Sequence, residues 1–416
     1  MTQSIAVLGR QPALGIAELE SLYGAEKLHP LGDQAALIDI DPAEISFSRL
    51  GGTIKLARLV TIIDSTDWKQ VEQHLSESAA KHSTFLPDGK MSFGLSVYGL
   101  DVSPARINAT ALSVKKLIKA TGRPVRVVPN KTPDLSSAQV LHNGLNGERA
   151  WELLFIRHGQ QTYMAQTTNV QDITAYAARD QARPKRDARV GMLPPKLAQI
   201  IINLAVGQVE ENEERRTENG EVGTVAVRHS SFLVPRSLTV LDPFCGTGVV
   251  LQEALLMGYK TYGTDLEPRM VEYSKTNLDW LSTVYRLPST VYNLEAADAT
   301  NHKWDRFDTI AAEAYLGRAF SALPRPEILR EVMSDVNAII KMFLQNVTRQ
   351  TSPGFRMCIA VPAWKTAHSF AHLKLLDNLT DLGYTRAVFT HVASAELIYH
   401  RPEQIVAREL VVLVRK

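Results

Sequence analysis

The spacing of apolar residues divides the chain into short strands and longer helices. Within the first 168 residues, apolar residues at helical spacing predict helices at 13–23 and 104–121, and a serine pair at 136–137 predicts a further helix start. The predicted strands of this part lie at 5–8, 35–40, 59–63, 91–98 and 125–128, with a closing pair within 151–166. This half mixes strands and helices, which indicates α+β structure.

The rest of the chain predicts an α/β domain. Helices are predicted at 195–206, 326–347 and 370–382, and another follows the turn that ends at Gly248. The predicted strands lie at 238–241, 259–263, 289–294, 309–313, 357–361, 386–391 and 404–414. Strands that alternate with helices favour a seven-stranded, mostly parallel, Rossmann-like sheet with helices on both faces.

A charged segment interrupts this pattern at 208–236. It is rich in glutamate and poor in large apolar residues. We interpret it as a mobile insertion, and the alternative is a short surface helix at 210–216.

Composition adds a few constraints. With 416 residues, 45% of them hydrophobic, the chain is long enough for two or three domains. Two cysteines, Cys245 and Cys358, are too few for a disulfide framework or a metal set. The first residues do not resemble a signal peptide, and no apolar run reaches eighteen residues. We therefore expect a cytoplasmic protein without a metal or a membrane partner.

Charge is unevenly distributed although the formal net charge is only +2. Residues 81–190 hold 16 Lys and Arg against 8 Asp and Glu. Such an excess indicates a polyanionic partner, and the alternative is a solvated face with counter-charges nearby. The basic residues include Lys115, Lys116 and Lys119 on the helix predicted at 104–121.

The most informative segment is the turn after the strand at 238–241. It reads Asp-Pro-Phe-Cys-Gly-Thr-Gly at 242–248, and the next strand leads to Asp265. Glycines allow a ligand to approach the backbone closely, and an acidic residue at the second strand's end is placed to bind ribose hydroxyls. The turn lacks both the Gly-x-Gly-x-x-Gly pattern of dinucleotide enzymes and the Gly-Lys-Ser/Thr of phosphate loops.

An acid that opens the turn suits a cation better than a pyrophosphate. S-adenosylmethionine carries an ammonium, a sulfonium and a ribose but no phosphate. We therefore expect Asp242 to hold its methionine end and Asp265 its ribose. Asp298, expected beyond the end of the third strand, is placed to accept from the adenine amino group. The alternative is that Gly246 and Gly248 only shape the strand–helix turn.

Several motifs together resemble the THUMP-domain tRNA methyltransferases of archaea and eukaryotes. These enzymes form N2-methylguanosine or N2,N2-dimethylguanosine at tRNA position ten. The motifs are Leu-Gly-Gly-Thr-Ile-Lys at 50–55, Phe-Gly-Leu-Ser-Val-Tyr-Gly at 93–99, Leu-Ser-Ser-Ala at 135–138 with His-Asn-Gly at 142–144, Arg-Asp at 179–180 with Pro-Lys-Arg-Asp at 184–187, Gly-Met-Leu-Pro-Pro-Lys at 191–196, the turn at 242–248 and Tyr-His-Arg at 399–401.

The resemblance implies a domain order. We expect a ferredoxin-like α+β domain at 1–60, a THUMP RNA-binding domain at 61–168 and a basic linker at 169–190. A Rossmann-fold methyltransferase domain that binds S-adenosylmethionine follows at 191–416. The expected substrate is tRNA, and the resemblance leaves open mono- or dimethylation and a small activator protein.

The candidate site residues fall into three groups. In the resembled family, the segment 191–196 would lie against the cofactor beside the glycine turn. Candidate cofactor-binding residues are Asp242, Phe244, Gly246, Gly248, Asp265, Leu266, Asp298, Ala299, Met192, Pro194 and Lys196. Candidate RNA-binding residues are Lys115, Lys116, Lys119, Arg183, Lys185, Arg186 and Arg401.

The third group, the catalytic one, departs from the family pattern. The family has Asp-Pro-Pro-Tyr at the end of the fourth strand, whereas this chain has Glu313-Ala314-Tyr315-Leu316. A guanine amine is a poor nucleophile and needs hydrogen-bond acceptors as charge develops on its nitrogen. Glu313 and the carbonyls of Ala314 or Tyr315 are the candidate acceptors, and Tyr315 is placed to stack on the base. The alternatives are a catalytically degenerate scaffold that binds S-adenosylmethionine or RNA, and a methyltransferase for another RNA, such as ribosomal RNA.

Overall fold

A computed structural model describes residues 2–187, 192–208, 238–287, 292–318, 320, 322, 324–366 and 369–416. They fold into two compact units. The first contains Met1–Pro12, Glu26–Ser48 and Thr53–Tyr176, and the second contains Ala13–Ala25, Arg49–Gly52 and Ala177–Lys416. The insertion expected at 208–236 lies, except for residue 208, outside the described residues. None of the described helices combines the length and the apolar character that crossing a membrane requires.

The helices and strands are numbered in chain order. The helices of the described residues are α1 (Pro12–Tyr23), α2 (Trp68–Ser83), α3 (Pro104–Ala120), α4 (Ser137–His142), α5 (Ile173–Gln181), α6 (Pro195–Val206), α7 (Val249–Leu256), α8 (Pro268–Tyr285) and α9 (Pro326–Thr348). The strands of the first unit are β1 (Ser4–Leu8), β2 (Leu28–Leu31), β3 (Ala35–Ile38), β4 (Thr53–Ile63), β5 (Met91–Tyr98), β6 (Val125–Val127), β7 (Ala150–His158) and β8 (Gln161–Val170). The strands of the second unit are β9 (Thr239–Asp242), β10 (Lys260–Asp265), β11 (Tyr292–Ala296), β12 (Thr309–Glu313), β13 (Arg356–Lys365), β14 (Phe370–Ala371), β15 (Tyr384–Arg386), β16 (Ile398–Tyr399) and β17 (Val406–Arg415).

One sheet runs through the first unit in the order β2-β3-β1-β4-β8-β7-β5-β6. Only β5 pairs in parallel, with β6 and β7, among the described pairings of this sheet. The boundary expected at residue 60 falls inside β4, since that strand pairs with β1 and then with β8. The further division of this unit into a ferredoxin-like and a THUMP domain stays a prediction.

Helix α2 was not foreseen, although its sequence carries the signals. Asp67 caps its first turn, accepting from the N–H of Lys69. Trp68, Val71 and Leu75 are buried at helical spacing against the sheet.

A buried ion pair fixes the centre of the first unit. The Lys55 ammonium pairs with the Glu152 carboxylate and donates to the Leu135 carbonyl at 2.7 Å. Ser96 and Thr167 each donate a hydroxyl to Glu152 at 2.6 Å. The pair therefore connects five parts of the chain and satisfies its own charge, which makes it structural.

The second unit contains the Rossmann-like sheet, in the order β11-β10-β9-β12-β13-β17-β15. Strands β9 to β13 of this path pair in parallel, and β17 runs antiparallel between β13 and β15. The predicted α/β class, the Rossmann-like sheet and its seven-strand path are confirmed. The short strands β14 and β16 were not foreseen; they pair with β13 and β17.

Two predicted elements near the carboxyl terminus were wrong in part. The helix predicted at 370–382 is instead strand β14 followed by a 3-10 helix, Lys374–Leu382, which is interrupted at Asn378. The strand predicted at 386–391 ends at Arg386, because the N–H groups of Thr390 and His391 donate to the carboxylate of Glu20 rather than to a sheet.

All of helix α1 except Pro12 belongs to the second unit, where Glu18 connects it to the glycine pair at 51–52 and to α6. A Cβ on Gly51 would collide with the carbonyl oxygen of Lys196 in α6, so only glycine fits there. The carboxylate of Glu18 in α1 accepts from Gly51 N–H at 2.9 Å and from the side chain of Asn203 at 2.7 Å. The glycine pair at 51–52 thus holds α6 in place, which explains the motif at 50–55 by packing.

The segment expected to be a linker at 169–190 also contains regular structure. Val170 ends β8 and helix α5 follows. Arg179 of α5 donates to Glu253 of α7 at 2.9 Å, and both side chains are buried. A buried ion pair of this kind anchors α5 to the Rossmann-like sheet's first helix.

Candidate functional site

The carboxyl-terminal edge of the sheet collects the predicted cofactor residues. In the parallel register, Gly263 lies opposite Asp242, and Asp265 lies opposite Ala296. The ends of β9, β10 and β11 are therefore neighbours, and Asp242 and Asp265 both stand at the edge where open α/β sheets bind ligands.

The glycine turn is built as the sequence suggests. Gly246 and Gly248 have φ values of 52° and 82°, in the left-handed region. At Gly248 a Cβ would also approach Ser274 Oγ to 2.9 Å. The side chains of Ser274 and Asn277 in α8 donate to the Gly246 and Thr247 carbonyls, both at 2.8 Å. Side chains of helix α8 therefore fix the conformation of the turn that precedes α7.

Asp242 is a buried carboxylate with little compensation. It is 2% exposed, and among described groups its one hydrogen bond comes from the Phe244 N–H at 3.1 Å. Burial raises the pKa of Asp242 well above its usual range, and the charges of Asp265 and Glu313 raise it further. Such a group is stabilised by a cation in the site.

Asp265 both shapes the turn and faces the ligand edge. Its two carboxylate oxygens accept from Gly246 N–H at 2.8 Å and from Glu267 N–H at 3.0 Å. Burial raises its pKa, partly offset by those two hydrogen bonds. Each oxygen has two lone pairs, so each can still accept a ribose hydroxyl.

Asp298 is placed less clearly for the adenine role. It follows β11, and one of its oxygens accepts both the N–H and the hydroxyl of Thr300, at 2.9 and 2.7 Å. The side chain thus shapes its own turn. The neighbouring candidate Ala299 is buried at 5% exposure, whereas Leu266, after Asp265, is 68% exposed. Phe244 is half-buried and stacks edge-on against Phe343.

The segment that precedes α6 lies at the same edge. Thr309 and Arg356, at the amino ends of β12 and β13, donate to the carbonyls of Ala205 and Leu204 at the end of α6. Helix α6 therefore runs antiparallel to these strands, and its first turn points to the carboxyl-terminal edge. This places Met192, Pro194 and Lys196 on the side of Asp242, while Gly191 is outside the described residues. Burial lowers the pKa of Lys196.

The end of β12 brings the three catalytic candidates to this edge. Glu313 is the last residue of the strand, and the Ala314 N–H donates to the Ala360 carbonyl at 3.0 Å. Tyr315 is 48% exposed. Gly317, at φ 80°, packs against Val332 of α9. Helix α9 thus supports the loop that lacks the two prolines.

Arg408 is a site residue that sequence reasoning missed. It lies in β17, and its Nε donates to a carboxylate oxygen of Glu313. Burial raises the pKa of Glu313, and the charge of Arg408 opposes that rise. The available signal was a pair of charged residues, Arg408-Glu409, inside an otherwise apolar strand.

The predicted RNA-binding residues separate into exposed and buried ones. Lys116 and Lys119 are exposed on α3, and Lys115 is half-buried beside them. Arg401 is half-buried and donates to the Tyr399 hydroxyl at 3.3 Å. Arg183 contradicts its prediction, since its side chain is 1% exposed and faces Asp180 at 3.8 Å. Burial lowers the pKa of Arg183, and a buried guanidinium does not meet RNA phosphates.

Two linker residues instead form a basic strip beside the glycine turn. Lys185 and Arg186 are exposed, and Asn277 holds the backbone of Lys185 through two hydrogen bonds at 2.8 and 2.9 Å. The Lys185 ammonium and the Arg269 guanidinium lie 5.3 and 5.8 Å from the ring centre of Tyr273. We call Lys185, Arg186 and Arg269 the linker strip. A further arginine of the expected linker, Arg189, lies outside the described residues.

Comparisons with known proteins agree with this geometry. A tRNA (guanine(10)-N2)-dimethyltransferase of Pyrococcus abyssi is 39% identical over 131 residues, which are 32% of this chain and 26% of that protein. The enzyme of the same name from Methanothermobacter thermautotrophicus is 25% identical over 186 residues, 44% of this chain and 43% of that one. The matches thus span less than half of either relative. No protein-family model matches the chain.

A solved structure extends the comparison to the whole fold. The crystal structure of TrmN from Thermus thermophilus aligns with a TM-score of 0.51 at 15% identity and covers 100% of both chains. At this identity the likeness concerns the fold alone.

Proposed function

We propose that the chain is an S-adenosylmethionine-dependent tRNA methyltransferase that acts on the exocyclic N2 of a guanosine. The observation that carries this proposal is a cluster of three carboxylates at one edge of the sheet, the buried Asp242 and the half-buried Asp265 and Glu313. Among the described groups, Asp242 accepts a single hydrogen bond, so the protein leaves its charge under-compensated and the edge favours a cationic ligand. The two curated relatives supply the tRNA and guanine specificity of the proposal.

The residues present fit the methyl donor. Asp242 lies at the turn where the ammonium end would bind, and Asp265 has acceptor capacity for the ribose. We place Asp298 near the adenine amino group, with Phe244, Leu266 and Ala299 around the nucleoside. When bound, S-adenosylmethionine supplies a methyl group from its sulfonium, whose sulfur keeps the bonding electrons as a neutral thioether.

The end of β12 supplies the acceptor chemistry. Glu313 accepts from the guanine amine, and the carbonyls of Ala314 and Tyr315 are further acceptors in this short loop. The nitrogen that takes the methyl group releases one proton, and the carboxylate of Glu313 accepts it. Tyr315 stacks on the base, a contact worth about 1–3 kcal/mol. The base leaves its helix to enter the site.

Two basic surfaces suit the RNA backbone. The linker strip lies in the catalytic unit, and Lys115, Lys116 and Lys119 lie on α3 of the first unit. Lysine and arginine contacts to phosphates position the RNA without reading its sequence. Arg401 is a further candidate near the end of β16. We infer that both surfaces contribute to tRNA binding, in a cytoplasmic enzyme.

Nucleoside mass spectrometry tests the proposal. Purified full-length chain, S-adenosylmethionine and unmodified tRNA transcripts should yield N2-methylguanosine, with N2,N2-dimethylguanosine distinguishing the second transfer. Glu313→Gln should lower the yield by about 100-fold, the cost typical of losing one preorganised group. Asp305→Asn, an exposed carboxylate of the same unit, is the matched control. Methylation of ribosomal RNA instead of tRNA would support the alternative that the enzyme modifies another RNA. Binding of S-adenosylmethionine or RNA without methyl transfer would support a catalytically degenerate scaffold.

A further inference from the structure

A partly buried ion pair lies at the end of β12, directly before the loop that lacks the two prolines. Glu313 ends β12, and Arg408 reaches it from β17, which lies two strands away across β13. The two side chains are 15% and 5% exposed. Among the described groups, Arg408 donates to one carboxylate oxygen of Glu313.

Burial and charge oppose each other at this carboxylate. Burial alone favours a protonated Glu313 and raises its pKa. Arg408 is the charged group that faces Glu313 and favours its ionised form. A protonated carboxyl can donate a hydrogen bond, whereas an ionised carboxylate only accepts. The ion pair therefore decides which hydrogen-bonding partner the site accepts.

We propose that Arg408 is a positioning residue that fixes Glu313 as an ionised acceptor and thereby selects guanine over adenine. This inference rests on the proposed function and adds the origin of its base preference. The amino group and the adjacent N1–H of guanine both donate, so a carboxylate can accept from both. Adenine has an N1 lone pair beside its amino group, and a carboxylate repels that lone pair. A fixed, ionised Glu313 thus favours guanine binding and disfavours adenine binding.

The pH dependence of turnover tests the role of Arg408. Activity requires ionised Glu313, so turnover falls as pH decreases through the pKa of this residue. Arg408→Met removes the opposing charge and raises that pKa, so the acidic limb of the kcat profile should move to higher pH. At pH 6 we expect kcat to fall by at least about tenfold, with partial recovery at pH 8.5. Arg408→Lys keeps the charge and should give an intermediate profile.

Arg386→Met is the matched control. Arg386 forms an ion pair with Glu409, the neighbour of Arg408 in β17, at 2.8 Å. Its loss should affect stability but not the position of the acidic limb. S-adenosylmethionine affinity, measured by calorimetry, should be the same in Arg408→Met and the original chain. An unshifted acidic limb in Arg408→Met, or a loss of turnover equal at every pH, would overturn the positioning role.

Two further measurements separate this inference from the proposed function. Glu313→Gln places an amide that can donate to adenine N1, so the ratio of guanosine to adenosine methylation in paired transcripts should fall by about tenfold. An unchanged ratio would overturn the selection of guanine. If the original chain methylates no guanosine, the proposed function fails. Denaturant unfolding then tests the ion pair itself. The free energy of unfolding of Arg408→Met should be lower than that of the double variant Arg408→Met/Glu313→Gln. Equal values would contradict the pairing.

Discussion

Glu152 of the first unit and Asp242 of the second are both buried carboxylates, yet their surroundings differ. Glu152 accepts from Lys55, Ser96 and Thr167, and it is fully buried. Asp242 accepts one described hydrogen bond and lies near two other carboxylates, Asp265 and Glu313. The protein therefore compensates the charge of Glu152 but leaves that of Asp242 under-compensated.

The difference distinguishes a structural charge from a ligand-binding one. A buried charge that the protein satisfies contributes to a single packed state, and its loss affects folding. A buried charge that the protein leaves under-compensated costs stability and persists where a ligand completes it. We therefore expect substitutions at these two positions to have opposite effects on stability and on ligand binding.

The largest expected effect is on folding of the first unit. Glu152→Ala leaves the Lys55 ammonium buried without its partner, and breaking such a pair costs about 3–5 kcal/mol. Denaturant unfolding of the full chain measures this loss. Glu327→Gln, in an ion pair whose side chains are 74% and 72% exposed, is the control and should change stability by less than about 0.5 kcal/mol. Equal stabilities of the two variants would remove the contrast.

The next effect is on cofactor binding at Asp242. Asp242→Asn keeps the shape but removes the charge, so S-adenosylmethionine affinity should fall by about 1.5–3 kcal/mol, or roughly 10- to 150-fold. The unfolding free energy of the ligand-free chain should stay equal or rise, because a costly buried charge is gone. Calorimetry and denaturant unfolding give both values. Unchanged affinity together with lost stability would make Asp242 a structural residue like Glu152.

The next expected effect, smaller per pH unit, is on the pH dependence of the unfolding free energy. The pKa of Asp242 is raised above its unfolded value of 3.8, so the folded chain retains a proton that the unfolded chain has released. The contribution of this proton to the unfolding free energy is fully present below the unfolded pKa of 3.8. It is lost as the pH rises through the pKa of the folded chain. Glu18, whose pKa burial raises to about 7, contributes with the same sign. Asp242→Asn should therefore gain stability relative to the original chain as pH rises, by at most about 1.4 kcal/mol per pH unit.

Thermal unfolding of the ligand-free proteins between pH 4.5 and 8 checks this sign. The difference between the two proteins isolates Asp242, because Glu18 is present in both. A difference that shrinks with rising pH would mean that the carboxylate is compensated after all.

The smallest expected effect per residue concerns the linker strip. Replacing Lys185, Arg186 and Arg269 by Glu should weaken tRNA binding and lower the slope of log affinity against log salt by about 2–3. Arg306→Glu is a control, because Arg306 is 92% exposed and precedes β12 at the opposite edge of the sheet. Filter binding at several salt concentrations measures both. An unaltered slope would exclude this strip from the RNA interface.

Much of the fold follows from the sequence because it depends on local patterns. Continuous apolar runs and the Asp242–Gly248 turn predicted β9, the parallel sheet and its ligand edge. The helices α3 and α6 were predicted from apolar residues at helical spacing. These signals are read within a few neighbouring residues, so a single sequence contains them.

The remaining features depend on contacts between distant residues. Arg408 pairs with Glu313, which is 95 residues away, and Gly51 packs on Lys196. The burial of Arg183 depends on the fold of a segment that resembles an exposed linker in sequence. The strand predicted at 386–391 ends at Arg386 because residues 390 and 391 donate to Glu20, more than 360 residues earlier in the chain. No local pattern specifies such partners.

A crystal structure of the chain soaked with S-adenosylhomocysteine tests the central claim most directly. We expect the nucleoside at the carboxyl-terminal edge of the sheet, its ribose hydroxyls on Asp265 and its homocysteine end beside Asp242. A nucleoside bound elsewhere, with Asp242 and Asp265 contacting none of its atoms, would contradict the claim that the under-compensated carboxylates form the cofactor site.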